Sequence, residues 1–410
     1  MHDTRRGADL LPTDMLRFRY TERVFREEAI RWGYQEVRTP TIEPLSLFTA
    51  AGTLDPGMLE DLYSFLDWDG WSGERVVLRP DGTIPIGRLF IERLAGHERA
   101  RLFHISNTFA YDEDGTSEHW QCGAEYLDAA GGDRAHADTE VASMALSVLT
   151  KLGFEAPHLR VGYPPLIRAV LGTMELSASR RREVTEYIRT RNIQGLKGLS
   201  DIEGMKKLLG LLELSSSSAD LIKNITAYLP NTDETSRALE DFSSSLAALE
   251  AAHIPFEITF ALPLVFEYYT GLVMEIYPDK ERTKRKDLLI SGGRYDGLID
   301  LLSDGETRAR AVGFALRVDR LIECPDFIRA LSRRGVLVMP GDDLNLARAC
   351  VCHLRDAGFI AEVAGIAQDH SNFRWHVTFE NGTLHVTDTD SGTITHHPTE
   401  RLSDVPSSLT

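Results

Sequence analysis

Phe103-His-Ile-Ser-Asn-Thr-Phe-Ala110-Tyr-Asp112, running on to Gln121-Cys-Gly-Ala-Glu125, reads as strand, loop and returning strand. Side chains four residues apart on a strand point to the same face, so Gln121 and Glu125 both face one pocket. Working outward, residues 12–33 read as a helix with Thr13 or Asp14 as cap, apolar residues at Met15, Phe18, Val24, Phe25, Ala29 and Ile30, and Gly33 as stop. Tyr34–Pro40 is a strand closed by proline. Residues 75–79 and 101–110 are strands with a helix at about 82–95 between them, and 121–127 is the return. A helix at about 136–152 and a strand at Leu159–Gly162 complete this part.

The interval 165–252 changes to Leu, Ala, Ser, Lys and Glu at helical spacing, broken at Ser215–Ala219 and Leu229–Asp233. Strands resume at 256–261, 272–277, 287–291 and Ala311–Leu316, the last entering a helix at Val318-Asp-Arg320-Leu, and Gly292–Gly297 reads as a turn. After a linker at Ser332–Gly335, a βαβ unit spans strand 336–339, helix 343–357 and strand 360–363. Asn381-Gly382 between two alternating runs marks a hairpin. The domain reading is a discontinuous core of 1–164 and 253–328, a helical insertion at 165–252, a small α/β region at 335–397 and a loose tail at 398–410.

The chain has 410 residues, of which 42% are hydrophobic and 26% charged, as in an ordinary soluble protein. A net charge of −17 argues against a broad phosphate-binding surface, so no nucleic-acid partner is expected. No apolar run is long enough to cross a bilayer, and the start lacks an apolar signal core, so neither membrane attachment nor secretion is expected. Cys122, Cys324, Cys350 and Cys352 form no Cys-x-x-Cys pair, which suits a reducing cytoplasm; Cys350 and Cys352 read as buried helix residues. His396-His397 reads as part of a solvated loop. There is no P-loop, zinc signature or nucleophile elbow, and no metal or cofactor is expected.

Six motifs resemble those of the class II histidyl-tRNA synthetase family and fall in its order. Asp9-Leu-Leu-Pro12 resembles the entry to its core, and Tyr34–Glu43 its dimer-forming first motif. Leu78-Arg-Pro-Asp81-Gly-Thr83 resembles Leu-Arg-Pro-Glu-x-Thr, Gln121–Glu125 matches Gln-x-x-x-Glu, and Gly292-Gly-Arg-Tyr295-Asp matches almost letter for letter. Phe266-Glu-Tyr268-Tyr269-Thr-Gly271 resembles the histidine-specific stretch. The resemblance implies an α+β fold, an antiparallel sheet flanked by helices. It also implies a histidine pocket of Asp81, Thr83, Gln121, Glu125, Tyr268, Tyr269 and Tyr295. In that pocket Asp81, Thr83 and Gln121 would hold the α-ammonium, and Glu125 and Tyr269 the imidazole.

The departures concern ATP. Ala110 stands where the family has the arginine that grips the α-phosphate, Asp112 replaces a neighbouring glutamate, and Leu264 falls at the histidine-specific catalytic arginine. The shortened loop carries Asp112, Glu113, Asp114 and Glu118, which would repel ATP. Arg320 of the third motif is kept. Losing one positioned cation typically costs roughly 10²–10³ in rate, and two are gone, so the chain is expected not to be an enzyme. A kept amino-acid pocket beside a dismantled ATP site resembles the regulatory subunits of ATP phosphoribosyltransferase, paralogues of the synthetases. That resemblance implies a role in histidine biosynthesis, a short-form catalytic subunit as partner, L-histidine as effector and self-association as a dimer. Two other readings stay open: a divergent synthetase-like ligase that activates an amino acid, and a tRNA-sensing synthetase-like module.

Overall fold

A computed structural model of the chain describes residues 9–49, 62–68, 73–110, 117–262, 269–324, 327, 335–365 and 373–409. They fall into two compact units, Met1–Phe327 and Ile328–Thr410. The first opens with the helix Pro12–Arg31, where proline at the first turn loses no intrahelical bond. The cap is Leu11 rather than Thr13 or Asp14: Asp14 lies inside the helix, and its carboxylate accepts the Leu11 amide at 3.1 Å. Phe18, Phe25 and Ala29 form the buried stripe, with Phe25 6.1 Å from both Phe103 and Phe314.

The strands of this unit, numbered along the chain, are β1 (Gln35–Glu36), β2 (Ile42–Pro44), β3 (Ser64–Trp68), β4 (Gly73–Leu78), β5 (Arg99–Phe109) and β6 (Glu118–Asp128), then β7 (His158–Gly162), β8 (Ser215–Ser216), β9 (Phe256–Thr259), β10 (Val273–Tyr277), β11 (Ile290–Arg294) and β12 (Arg310–Arg317). Nine make one sheet in the order β1-β5-β6-β12-β11-β10-β7-β9-β8. Its middle is antiparallel, and β1/β5 and β7/β9 are parallel, so the sheet is mixed. β2, β4 and β3 form a separate antiparallel sheet.

Two local expectations are corrected, and a third, the helix at about 82–95, is refined. Only Gln35 and Glu36 of the 34–40 segment pair as strand. The helix at 82–95 is an α-helix, Thr83–Leu89, followed by a π-helical turn, Phe90–Leu94. Gly292, Gly293 and Arg294 are strand rather than turn, because β11 continues to Arg294 between β10 and β12.

The 165–252 interval is helical, but the serine break at 215–216 is β8, paired with β9. Its helices Pro164–Gly172, Met205–Leu212 and Asp233–Ala251 share one buried apolar cluster with the sheet and the helix Arg134–Lys151. Tyr163 stacks on Phe242 at 5.0 Å, and Arg191 reaches Glu275 of β10 at 2.6 Å.

The second unit has β13 (Gly335–Val338), β14 (Ile360–Val363), β15 (Phe373–Glu380), β16 (Thr383–Asp388) and β17 (Ile394–Pro398), ordered β14-β13-β15-β16-β17. The helix Leu344–Asp356 is capped by Asp343, whose carboxylate accepts the amides of Asn345 and Leu346. Asn381 and Gly382 take positive φ, 49° and 77°, as a tight hairpin requires. Three readings fail here. His396 and His397 belong to β17, with His396 opposite His385. Cys352 is exposed while Cys350 is buried, since the two lie on different helix faces. The tail is not loose: Thr399–Ser408 forms a 3₁₀ stretch that, with Leu409, buries Val405 and Leu409 in the core of this unit.

Candidate functional site

The face of β6 that carries Gln121, Gly123 and Glu125 is framed by β5 on one side and β12 on the other. Glu125 lies opposite Gly313, and only glycine fits there: a Cβ would sit 1.6 Å from the Glu125 Oε2. The carboxyl is buried, 2% exposed. Thr83, at the start of the helix after β4, donates its hydroxyl to Oε1 at 2.8 Å. Tyr295, just past β11, donates its phenol to Oε2. Burial pushes the Glu125 carboxyl up to about 8, nearby Asp81 adds to the rise, and the Tyr295 and Thr83 hydroxyls oppose it. A basic ligand group set against this raised carboxyl would favour its ionised form.

Asp81 is buried and one oxygen accepts the Ile84 amide at 2.9 Å, fixing the turn that presents Thr83. Tyr269 sits against β11, a Cβ on Gly293 falling 3.0 Å from its ring. Burial raises its phenol, and the charges of Glu125 and Asp81 raise it further. Its carbonyl accepts a hydrogen bond from Arg168. The structure thus gathers Asp81, Thr83, Gln121, Glu125, Tyr269 and Tyr295. Tyr268 and Leu264, like Asp112, Glu113 and Asp114 of the acidic loop, lie outside the described residues.

Arg294 holds Tyr295 in place. Buried to 3% exposure, it donates to Asp138 at 2.9 Å, Asp296 at 2.8 Å and the Arg134 carbonyl at 2.9 Å. Ser245 donates to the other Asp138 oxygen at 2.8 Å. Ala110, the residue after β5, offers a methyl group, and its amide donates to the Ser117 carbonyl at 3.1 Å. Arg79 is spent on structure, donating to the carbonyls of Asn107, Thr39 and Pro40. The Arg320 guanidinium lies 3.8 Å from Glu323. The preceding Asp319 accepts the Trp120 amide at 2.8 Å, and burial lifts it to about 6. Among the described residues no cluster of side chains could hold a metal ion.

The sequence reading gave no role to His104 or Ser106. His104 lies directly across from Gly123, on the pocket face, with Nδ1 2.8 Å from the Ser106 hydroxyl. The signal that could have found them was the strand alternation itself, since His104 and Ser106 share the pairing register of Gly123 and Gln121.

The model of the histidyl-tRNA synthetase family matches residues 7–321. An ATP phosphoribosyltransferase regulatory subunit from Dehalococcoides mccartyi is 40% identical over 379 residues, covering 90% of this chain and 89% of that one. The chain belongs to the ATP phosphoribosyltransferase regulatory subunits, within the histidyl-tRNA synthetase family. A histidine–tRNA ligase of Methanosarcina acetivorans is 29% identical over 340 residues, 80% of this chain and 77% of the ligase. A Bacillus halodurans protein described as an ATP phosphoribosyltransferase regulatory subunit/histidyl-tRNA synthetase shares the fold, with a TM-score of 0.70 at 24% identity over 91% of this chain and 96% of that one. Regulatory subunits and synthetases therefore share this α+β architecture. No helix among the described residues is long and apolar enough to cross a membrane.

Proposed function

We propose that this chain regulates a short-form ATP phosphoribosyltransferase catalytic subunit, activating it and conveying feedback by L-histidine, without chemistry of its own. The observation that carries the reading is an intact basic-group pocket beside a missing phosphate grip. Thr83, expected to hold the α-ammonium group, donates instead to Glu125 together with Tyr295, which suits that carboxyl to an imidazole, while Ala110 offers only a methyl group where adenylate chemistry needs a cation. Asp81 and Gln121 border the same floor and suit an α-ammonium group. Histidine regulates by linkage: it must bind one state of the complex better than another, with a coupling of about 1–3 kcal/mol. Four free cysteines suit action in the cytoplasm.

Self-association belongs to the same reading. The small sheet leaves Ile42, Phe65, Leu66 and Trp68 exposed, and β3 is its edge strand. Such an apolar edge is suited to a second copy of the chain.

The test mixes the purified protein with a short-form catalytic subunit and follows phosphoribosyl-ATP with and without histidine. Activation that histidine reverses is expected, together with no histidine-dependent exchange of pyrophosphate into ATP. Exchange at synthetase rates, or no activation, would sink the reading.

A further inference from the structure

β6 turns Gln121, Gly123 and Glu125 to one side, and β5 places Ser106, His104 and Leu102 directly across from them. Opposed residues of an antiparallel pair share a face. Gly123 has no side chain, so the space between Gln121 and Glu125 is taken by the His104 imidazole. A Cβ on Gly123 would lie 2.2 Å from the imidazole Nε2. The same ring reaches the turn between Asp81 and Thr83. A Cβ on Gly82 would lie 2.2 Å from its Cε1 and 2.6 Å from both its Nε2 and the Gln121 Nε2. One ring thus meets β6 and the Asp81–Thr83 turn together.

His104 is 5% exposed. Burial, with the Arg79 charge nearby, pushes its pKa down to about 4, so the ring is neutral at physiological pH. Nδ1 is engaged by Ser106 at 2.8 Å, which leaves Nε2 as the ring nitrogen turned toward Gly82, Gly123 and Gln121. Nε2 is therefore the ring nitrogen placed to meet a ligand atom beside Gln121. With Nδ1–H donating to the Ser106 hydroxyl, Nε2 presents a lone pair. Asp81 gives this side of the sheet an acidic group that favours a cationic donor.

We propose that His104 is a specificity residue of this pocket, its Nε2 accepting a hydrogen bond from the ammonium group of the bound amino acid beside Gln121. The proposal rests on the reading of the Glu125 pocket as an amino-acid site. A packing role is the rival account, in which the ring is only a wedge between two glycines.

Calorimetry on the full chain separates them, using L-histidine and imidazolepropionate, the same molecule without its ammonium group. The unmodified protein is expected to prefer histidine strongly. His104→Phe keeps a planar ring but removes Nε2. It is expected to cut that preference about tenfold, as loss of one hydrogen bond to a charged group would, while leaving imidazolepropionate affinity unchanged. Ser106→Ala, a smaller change that frees the tautomer, is expected to cut the preference about threefold. An unchanged preference in folded forms of these variants overturns the proposal alone. If the unmodified protein binds neither compound, the amino-acid reading of the pocket fails, and the proposal with it.

Discussion

Glu125 governs how the pocket answers pH. Free histidine's imidazole titrates near about 6.5, and the empty-site Glu125 near about 8. Between those values the separated partners carry one proton, on Glu125, and the complex carries one, shared between imidazolium and carboxylate. Binding then exchanges no proton with solvent. Below the window the ligand brings a second proton that must leave. Above it Glu125 is already ionised and a proton must be taken up. Affinity is expected to be flat inside the window and to fall about tenfold per pH unit on either side. Glu125→Gln, which cannot ionise, is expected to bind more weakly and lose the alkaline limb that begins near 8. Calorimetric affinities of the unmodified protein that stay constant from about pH 5.5 to about pH 9.5 would refute the proton-sharing account. The sign for stability is opposite to that of a salt-bridged acid. The fold holds a proton that the unfolded chain has released, so the empty protein loses stability as pH rises from about 4.5 through about 8. At this scale Thr83, Glu125 and Tyr295 were legible because they sit in motifs with fixed spacing. His104 was not, because its role depends on a register with Gly123 that only the folded pair of strands reveals.

At the scale of elements, the long strands β5 and β6 and the helix Arg134–Lys151 were readable from their patterns, since each buries a continuous face. The two-residue strands β1 and β8 were not, because their pairing is set by neighbours rather than by any periodicity of their own. β17 was missed for a related reason: its less exposed face carries the polar Thr395 and His397, and it joins the sheet only through β16. The glycine-rich end of β11 read as a turn because glycine usually marks one, whereas here Gly292 lets β12 approach closely and Gly293 makes room for Tyr269. Arg294, at the end of that strand, ties β11 to the helix Arg134–Lys151 through Asp138 and to the next turn through Asp296. Removing the cation alone strands a buried carboxylate. Arg294→Met is therefore expected to cost about 3–5 kcal/mol of unfolding free energy. Arg294→Met with Asp138→Asn together should cost less than the single change, since no unpaired charge remains. Denaturant titration measures both. A single-variant loss below about 1 kcal/mol would mean that the network is decorative rather than structural.

For the whole molecule, the question is what the regulatory chain joins. A subunit that transmits a signal has to offer surfaces beyond its own pocket. The described residues expose their large apolar side chains unevenly. Leu66 and Trp68 are 55% and 61% exposed on β3, which among the described residues pairs only with β4. Two residues apart on a strand, they share a face, and each would lose water on pairing with a second copy. An edge left open in this way invites pairing, and natural chains that stay monomeric usually guard it with charge or proline. β3 has one charge, Asp67, and it points to the opposite side from Leu66 and Trp68. The isolated chain is therefore expected to run as a dimer by light scattering at micromolar concentration. Leu66→Glu combined with Trp68→Glu is expected to shift it to monomer while leaving its melting temperature within a few degrees, because both side chains are already in water in the single chain. A monomeric parent would remove the dimer from the functional reading. A double variant that stays dimeric would move the interface away from β3, and with it the route by which one pocket could sense the other.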